Sequence, residues 1–66
     1  MINHLKVERV RHNLTQEQLA ERVGVSRQSI NSIEKNRYVP STVLALKIAK
    51  ELSIKVENIF ELEECD

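Results

Sequence analysis

A single cysteine, Cys65, excludes an intrachain disulfide and a cysteine-rich zinc site, so two common supports of a very small fold are missing. A 66-residue domain buries only about 60% of the surface its unfolded chain exposes, and folds alone with little to spare. Association with a second subunit is the support that remains. Tryptophan is absent and the only aromatic residues are Tyr38 and Phe60. Alternating apolar and polar runs of strand length are also missing, which leaves helices as the main element. No apolar run approaches the roughly 18 residues of a membrane span, and the N-terminus lacks the charged and apolar sections of a signal peptide. The cytoplasm is the expected compartment. Gly24 and Pro40 are the only glycine and proline, and with no repeat or low-complexity segment the chain is expected to form a single domain over residues 1–66.

A surplus of charge is lacking too, since ten Lys and Arg balance ten Asp and Glu. The balance is uneven along the chain. Residues 1–40 carry seven Lys or Arg against four Glu, and residues 41–66 carry three Lys against six acids, so a +3 half precedes a −3 half. A nucleic-acid partner therefore remains open, because attraction depends on where the charge lies and not on the total.

Helix starts are well marked. Thr15 with Gln18 three residues on makes a capping box, and Leu14 with Leu19 a hydrophobic staple; Leu19, Ala20 and Val23 then form an apolar stripe until Gly24. This predicts a helix from Gln16 to Val23. Ser26 is the next N-cap, with Val25 and Ile30 as staple and Ile30 and Ile33 facing inward, for a helix to about Lys35. Asn36 to Pro40 read as a loop. Ser41 caps a helix whose Leu44, Ala45, Ile48, Ala49 and Leu52 face inward, widened by Val43 and Leu46. Val7, Val10 and Leu14 support a first helix from Asn3 to His12, and Val56, Ile59 and Phe60 a short fifth one. The fold class is all-α, with five helices.

A helix-turn-helix holds two short helices at a steep angle across a three- or four-residue turn so that the second can enter the major groove. Ala20 is small where the helices cross, Gly24 takes the turn's backbone conformation, and Ile30 packs the second helix onto the first. Together with two capped starts, this points to a motif spanning Gln16 to Lys35. The stretches Leu14-Thr-Gln-Glu-Gln-Leu-Ala20, Val23-Gly-Val-Ser-Arg-Gln-Ser-Ile30, Ile33-Glu34, Pro40-Ser41 and Leu46-Lys-Ile-Ala49 resemble the phage repressor and Cro type of helix-turn-helix, also called the xenobiotic-response-element family. The resemblance covers essentially the whole chain and is closest to stand-alone regulators of the cytolysin-repressor subgroup. It implies five packed helices, a third helix that reads the major groove, and identical subunits paired across a two-fold axis.

In a groove-bound third helix, Gln28 can grip adenine N6 and N7 bidentately, and Arg27 can grip guanine. Asn31 and Ser32 lie one turn further. The resemblance matches Arg27, Gln28 and Ser32 to base-reading positions, with Asn31 sharing their outward face. Helix N-termini attract phosphate, which makes Gln16, Ser26 and Ser29 expected backbone contacts; by resemblance Gln16 holds phosphate and Asn36, Arg37 and Tyr38 track the same strand. The resemblance also implies that Arg9 and Glu34 form a structural ion pair. Lys55 departs from the family, which often has a capping Ser or Asp before the fifth helix.

Dimerisation is expected in residues 54–64 through Ile54, Ile59, Phe60 and Leu62, with Val43 and Leu46 as further spare apolar surface and Met1 and Ile2 joining them. A short strand over residues 1–3 is expected to pair with 61–63 and extend across the two-fold. Catalysis has no constellation to use: Cys65 lies in an acidic tail, and His4 and His12 are two turns apart with only Glu8 between them. No cofactor or metal is expected. The predicted function is a double-stranded-DNA-binding repressor acting as a homodimer. The alternative is an antitoxin or interaction module that binds DNA only with a partner protein.

Overall fold

The computed structural model describes all residues from Met1 to Asp66. Its elements run β1 (Ile2–Asn3), α1 (Leu5–Arg11), α2 (Gln16–Val23), α3 (Arg27–Glu34), α4 (Thr42–Leu52), a 3-10 turn (Val56–Asn58) and β2 (Phe60–Glu61). Four helices and a two-stranded antiparallel sheet replace the five helices expected.

The missing helix has a local cause. Lys55 precedes the turn without a side-chain hydrogen bond to it, so the turn's first donors have no side-chain cap. Ile59 is then wholly buried, and Phe60 and Glu61 extend to pair with Asn3 and Ile2. The His4 N–H donates to the Ile59 carbonyl at 2.8 Å and prolongs the ladder. The strand pairing thus closes within one chain, and its C-terminal strand starts one residue earlier than the expected 61–63. Beyond it, the Met1 amino group lies 2.8 Å from Glu63 and 3.1 Å from Asp66. Hydrogen bonds to these two carboxylates raise the amine's pKa above its ordinary value.

The first helix differs from expectation in both extent and orientation. It starts at Leu5 because the Asn3 carbonyl oxygen Oδ1 accepts the Leu5 N–H at 2.8 Å, while Asn3 Nδ2 donates to the carbonyl of Ile33 near the end of α3. Leu5 and Arg9, one turn apart, are its buried residues. Val7 and Val10 face solvent, 52% and 56% exposed. The inward position on the second turn is therefore an arginine, which apolar periodicity assigns to the wrong face.

The central helices follow their local signals. Thr15 Oγ1 accepts the Gln18 N–H at 3.0 Å and Gln18 Oε1 accepts the Thr15 N–H at 2.9 Å, which completes the capping box of α2. Gly24 ends the helix at a φ of 77°, a left-handed conformation that L side chains avoid. Ser26 and Ser41 Oγ accept the N–H groups of Ser29 and Leu44, each at 3.1 Å, and start α3 and α4. Leu5, Leu19, Ile30, Ile33, Ile48, Leu52 and Ile59 are the largest side chains wholly buried in the core. Every helix, and the residue after the 3-10 turn, contributes. Thr15→Ala removes one half of the capping box at an exposed site, and such a loss costs about 1 kcal/mol. A thermal melt is expected to show Tm lower by about 4–8 °C; an unchanged Tm would mean that the cap does not hold α2.

Candidate nucleic-acid interface

The inner side of α3 is set by Ile30 and Ile33, both fully buried, and α2 packs on α3 more extensively than on any other element. Helical spacing then turns Arg27, Gln28 and Asn31 outward. Ser26, Arg27, Gln28, Asn31 and Lys35 line a shallow concavity with no apolar residue in it. A second concavity is lined by Ser26, Gln28, Ser29, Ser32, Arg37 and Tyr38. Ser26 and Gln28 belong to both.

Arg37 and Tyr38 reach this surface because the chain reverses sharply after α3. Asn36 adopts a φ of 58°, a left-handed conformation that asparagine tolerates better than most residues. Its N–H donates to the Ile33 carbonyl at 3.0 Å and the Arg37 N–H donates to Ser32 at 2.9 Å. The turn folds the loop back beside Ser29 and Ser32. Asn36 shapes this turn and lines neither concavity.

Behind α3, Arg9 and Glu34 meet in a bidentate pair. Arg9 Nε donates to Glu34 Oε2 at 2.7 Å and Nη2 to Oε1 at 3.2 Å, while Nη1 donates to the Leu14 carbonyl at 2.7 Å. The Glu34 side chain is only 4% exposed. One guanidinium thereby links α1, the loop before α2 and the end of α3, which holds α3 against the scaffold. Gln16, at the start of α2, donates from Nε2 to Glu34 Oε1 and to Asn31 Oδ1, both at 3.2 Å.

Ten residues were expected to face DNA. Eight of them line the two concavities, Gln16 joins through Asn31, and Asn36 acts on the loop. Lys35 shares the first concavity and was not foreseen, although it follows Asn31 by four positions and Gln28 by seven, a spacing that places all three on one helix face. Asn3, which ties the chain's start to α3, has no detectable signal in the sequence. His4 Nε2 lies 3.1 Å from Glu61 Oε1, and His12 Nδ1 lies 2.8 Å from the Glu8 carbonyl of its own helix.

The residues expected to meet a second copy divide. Ile59 is 0% exposed inside its own chain's core, so its side chain has no surface to offer and leaves that set. Ile54 and Phe60 are half-buried against the core, and Leu62 is 83% exposed. Val39, Val43 and Leu46 are exposed. Met1, Val39, Pro40, Thr42, Ala45, Leu46, Val56 and Phe60 line a largely apolar groove.

Residues 5–59 match the family model described as helix-turn-helix. The chain belongs to the Cro/C1-type helix-turn-helix family. It is similar to an uncharacterized HTH-type transcriptional regulator of Methanocaldococcus jannaschii, 56% identical over 97% of both chains. A second relative, the uncharacterized regulator YgzD of Bacillus subtilis, is 53% identical over 97% of both. In three dimensions this helix-turn-helix chain resembles the restriction-modification controller protein C.AhdI of Aeromonas hydrophila, with a TM-score of 0.80 and 32% identity over 86% of each chain. The family is one of DNA-binding transcriptional regulators and not an enzyme class, so the chain is a transcriptional regulator with a helix-turn-helix DNA-binding domain.

Proposed function

We propose that the chain is a cytoplasmic, homodimeric repressor that lays α3 in the major groove of a pseudo-palindromic operator. The observation that carries this reading is the polar outer face of α3, with Arg27, Gln28, Asn31 and Ser32 on concavities next to Arg37 and Tyr38. A buried bidentate ion pair holds that helix from behind. Arg27 and Gln28 sit in the first turn of α3, where side chains of a groove-bound helix reach base edges. Arg27 offers a fork for guanine O6 and N7, and Gln28 a donor and an acceptor for adenine. Phosphates are held by the backbone N–H of Gln16 at the start of α2, by the Ser26 and Ser29 hydroxyls at the start of α3, by Arg37, by the Tyr38 hydroxyl and by Asn36. A dimer covering its operator blocks access to that duplex without further machinery.

Phe60, Leu46 and Val39 on the apolar groove, with the exposed Leu62 and Val43 and the half-buried Ile54, supply the face for the second copy. A small domain with a limited core gains from covering such a surface. Sedimentation of the free protein at micromolar concentration is expected to show a dimer, and the dimer is expected to bind duplexes with half-sites one helical turn, about 34 Å, apart. Affinity is expected to fall with salt, with a modest log–log slope because each subunit brings few cations. A folded monomer that binds DNA only alongside another protein would overturn the homodimer and support a partner-dependent module.

A further inference from the structure

We propose that Glu34, acting through Gln16, fixes which end of the Asn31 amide faces the groove, so that Asn31 reads base acceptors and cannot grip adenine bidentately. The proposal rests on the placement of α3 in the major groove and deepens it to the chemistry of one base pair.

The argument starts from hydrogen-bond polarity. A carboxylate opposite a guanidinium accepts and does not donate, and Glu34 already takes one Arg9 donor on each oxygen. Whatever else approaches Glu34 Oε1 must bring a proton. Gln16 stands 3.2 Å away and therefore presents its Nε2. The same Nε2 stands 3.2 Å from Asn31, and a second N–H requires an acceptor there, which orients Asn31 with Oδ1 toward Gln16. The Asn31 Nδ2 group is then the end left for the concavity it shares with Arg27, Gln28 and Lys35. The order of polarity runs from the buried ion pair outward and leaves no choice at its last member.

The consequence is a donor-only reader. Bidentate recognition of adenine needs an amide oxygen for N6 and an amide N–H for N7. Asn31 has its oxygen committed and offers N–H alone, which suits guanine O6 and N7 or thymine O4 and opposes the cytosine amino group. Arg27 and Lys35 add only donors to the same concavity. Gln28 is exposed and keeps both ends of its amide for adenine. Gln16, with both Nε2 protons taken, has only an acceptor oxygen free, so its phosphate contact falls to its backbone N–H at the start of α2.

Three variants and the wild type, each selected against random duplexes with melts alongside, test this. Wild type is expected to favour guanine or thymine at the pair facing Asn31, and Asn31→Ala to flatten that pair. Gln16→Met keeps the length of the side chain but removes the donor, so the Asn31 amide can turn and adenine's share there rises about tenfold relative to guanine. The pair read by Gln28 stays unchanged in both, and Gln28→Ala alters that pair alone. Unchanged selection by folded Gln16→Met, or wild-type preference for adenine at the pair Asn31→Ala flattens, would overturn the proposal. If only Gln28→Ala alters selection, α3 still reads DNA and the assignment of Asn31 fails. If none of the three does, the groove placement of α3 fails as well. Side-chain amide exchange measured by NMR on the free wild type removes dependence on variant folding. The Gln16 protons should exchange more slowly than those of Asn31, and the reverse order would refute the relay.

Discussion

Arg9→Ala is expected to destabilise the fold by about 3–5 kcal/mol, the usual cost of removing one partner of a buried charge pair. Glu34 would remain nearly inaccessible to water with no cation beside it, and the Leu14 carbonyl would lose its donor. Small domains have total stabilities toward the low end of about 5–15 kcal/mol, so much of the protein should be unfolded near physiological temperature. Replacing both members, Arg9→Met with Glu34→Leu, should cost distinctly less because no unpaired charge is left buried. Urea unfolding followed by circular dichroism makes the comparison. A single Arg9→Ala variant within about 1 kcal/mol of wild type would show that the pair is solvated and does not anchor α3.

Ile59→Ala is expected to cost about 2–5 kcal/mol of folding free energy, since a fully buried isoleucine is replaced by a cavity. Leu62→Ser, three residues on and highly exposed, should leave the folding of each subunit within about 0.5 kcal/mol. Its effect belongs to association. Because dimer stability depends on protomer concentration, melts over a range of concentrations separate the two residues. Ile59→Ala should lower Tm by a similar amount throughout, whereas the loss in Leu62→Ser should appear as a weaker dimer and vary with concentration. An Ile59→Ala variant that melts as wild type but dissociates would return Ile59 to the interface and contradict its place in the core.

The parts of the fold legible in the sequence are those encoded by neighbours. The side-chain oxygens of Thr15, Ser26 and Ser41 each accept a hydrogen bond from the backbone N–H three residues on, and Gly24 takes its left-handed turn for reasons internal to its own backbone. Elements that depend on distant partners are less visible. Arg9 reads as surface until Glu34, 25 positions on, reaches it, and only the resemblance to a family pointed to that pair. Val7 and Val10 suggested an inward face that α1 does not have. Val56, Ile59 and Phe60 suggested a helix, but the uncapped turn at Lys55 gives way to strand pairing with Ile2 and Asn3. At the interface, the outward face of α3 follows from helical spacing. The orientation of Asn31 does not, because it is decided by two hydrogen bonds relayed from a buried carboxylate.

The central claim is that α3 reads bases while the surrounding loop and helix ends hold phosphate, and one paired selection tests it most directly. Wild type, Gln28→Ala and Arg37→Ala are each used to select sites from random duplexes, with affinity for the preferred site followed against salt. Gln28→Ala should keep its melting temperature, because substitutions at exposed positions usually stay within about 0.5 kcal/mol. Its preference should relax by about 1–3 kcal/mol at one symmetric pair of positions and nowhere else. Arg37→Ala should weaken every site to a similar degree and reduce the salt slope, with the selected sequence unchanged. A folded Gln28→Ala protein that selects the wild-type sequence at every position would contradict the assignment of Gln28, and the same outcome for Arg27→Ala and Asn31→Ala would contradict recognition by α3 altogether.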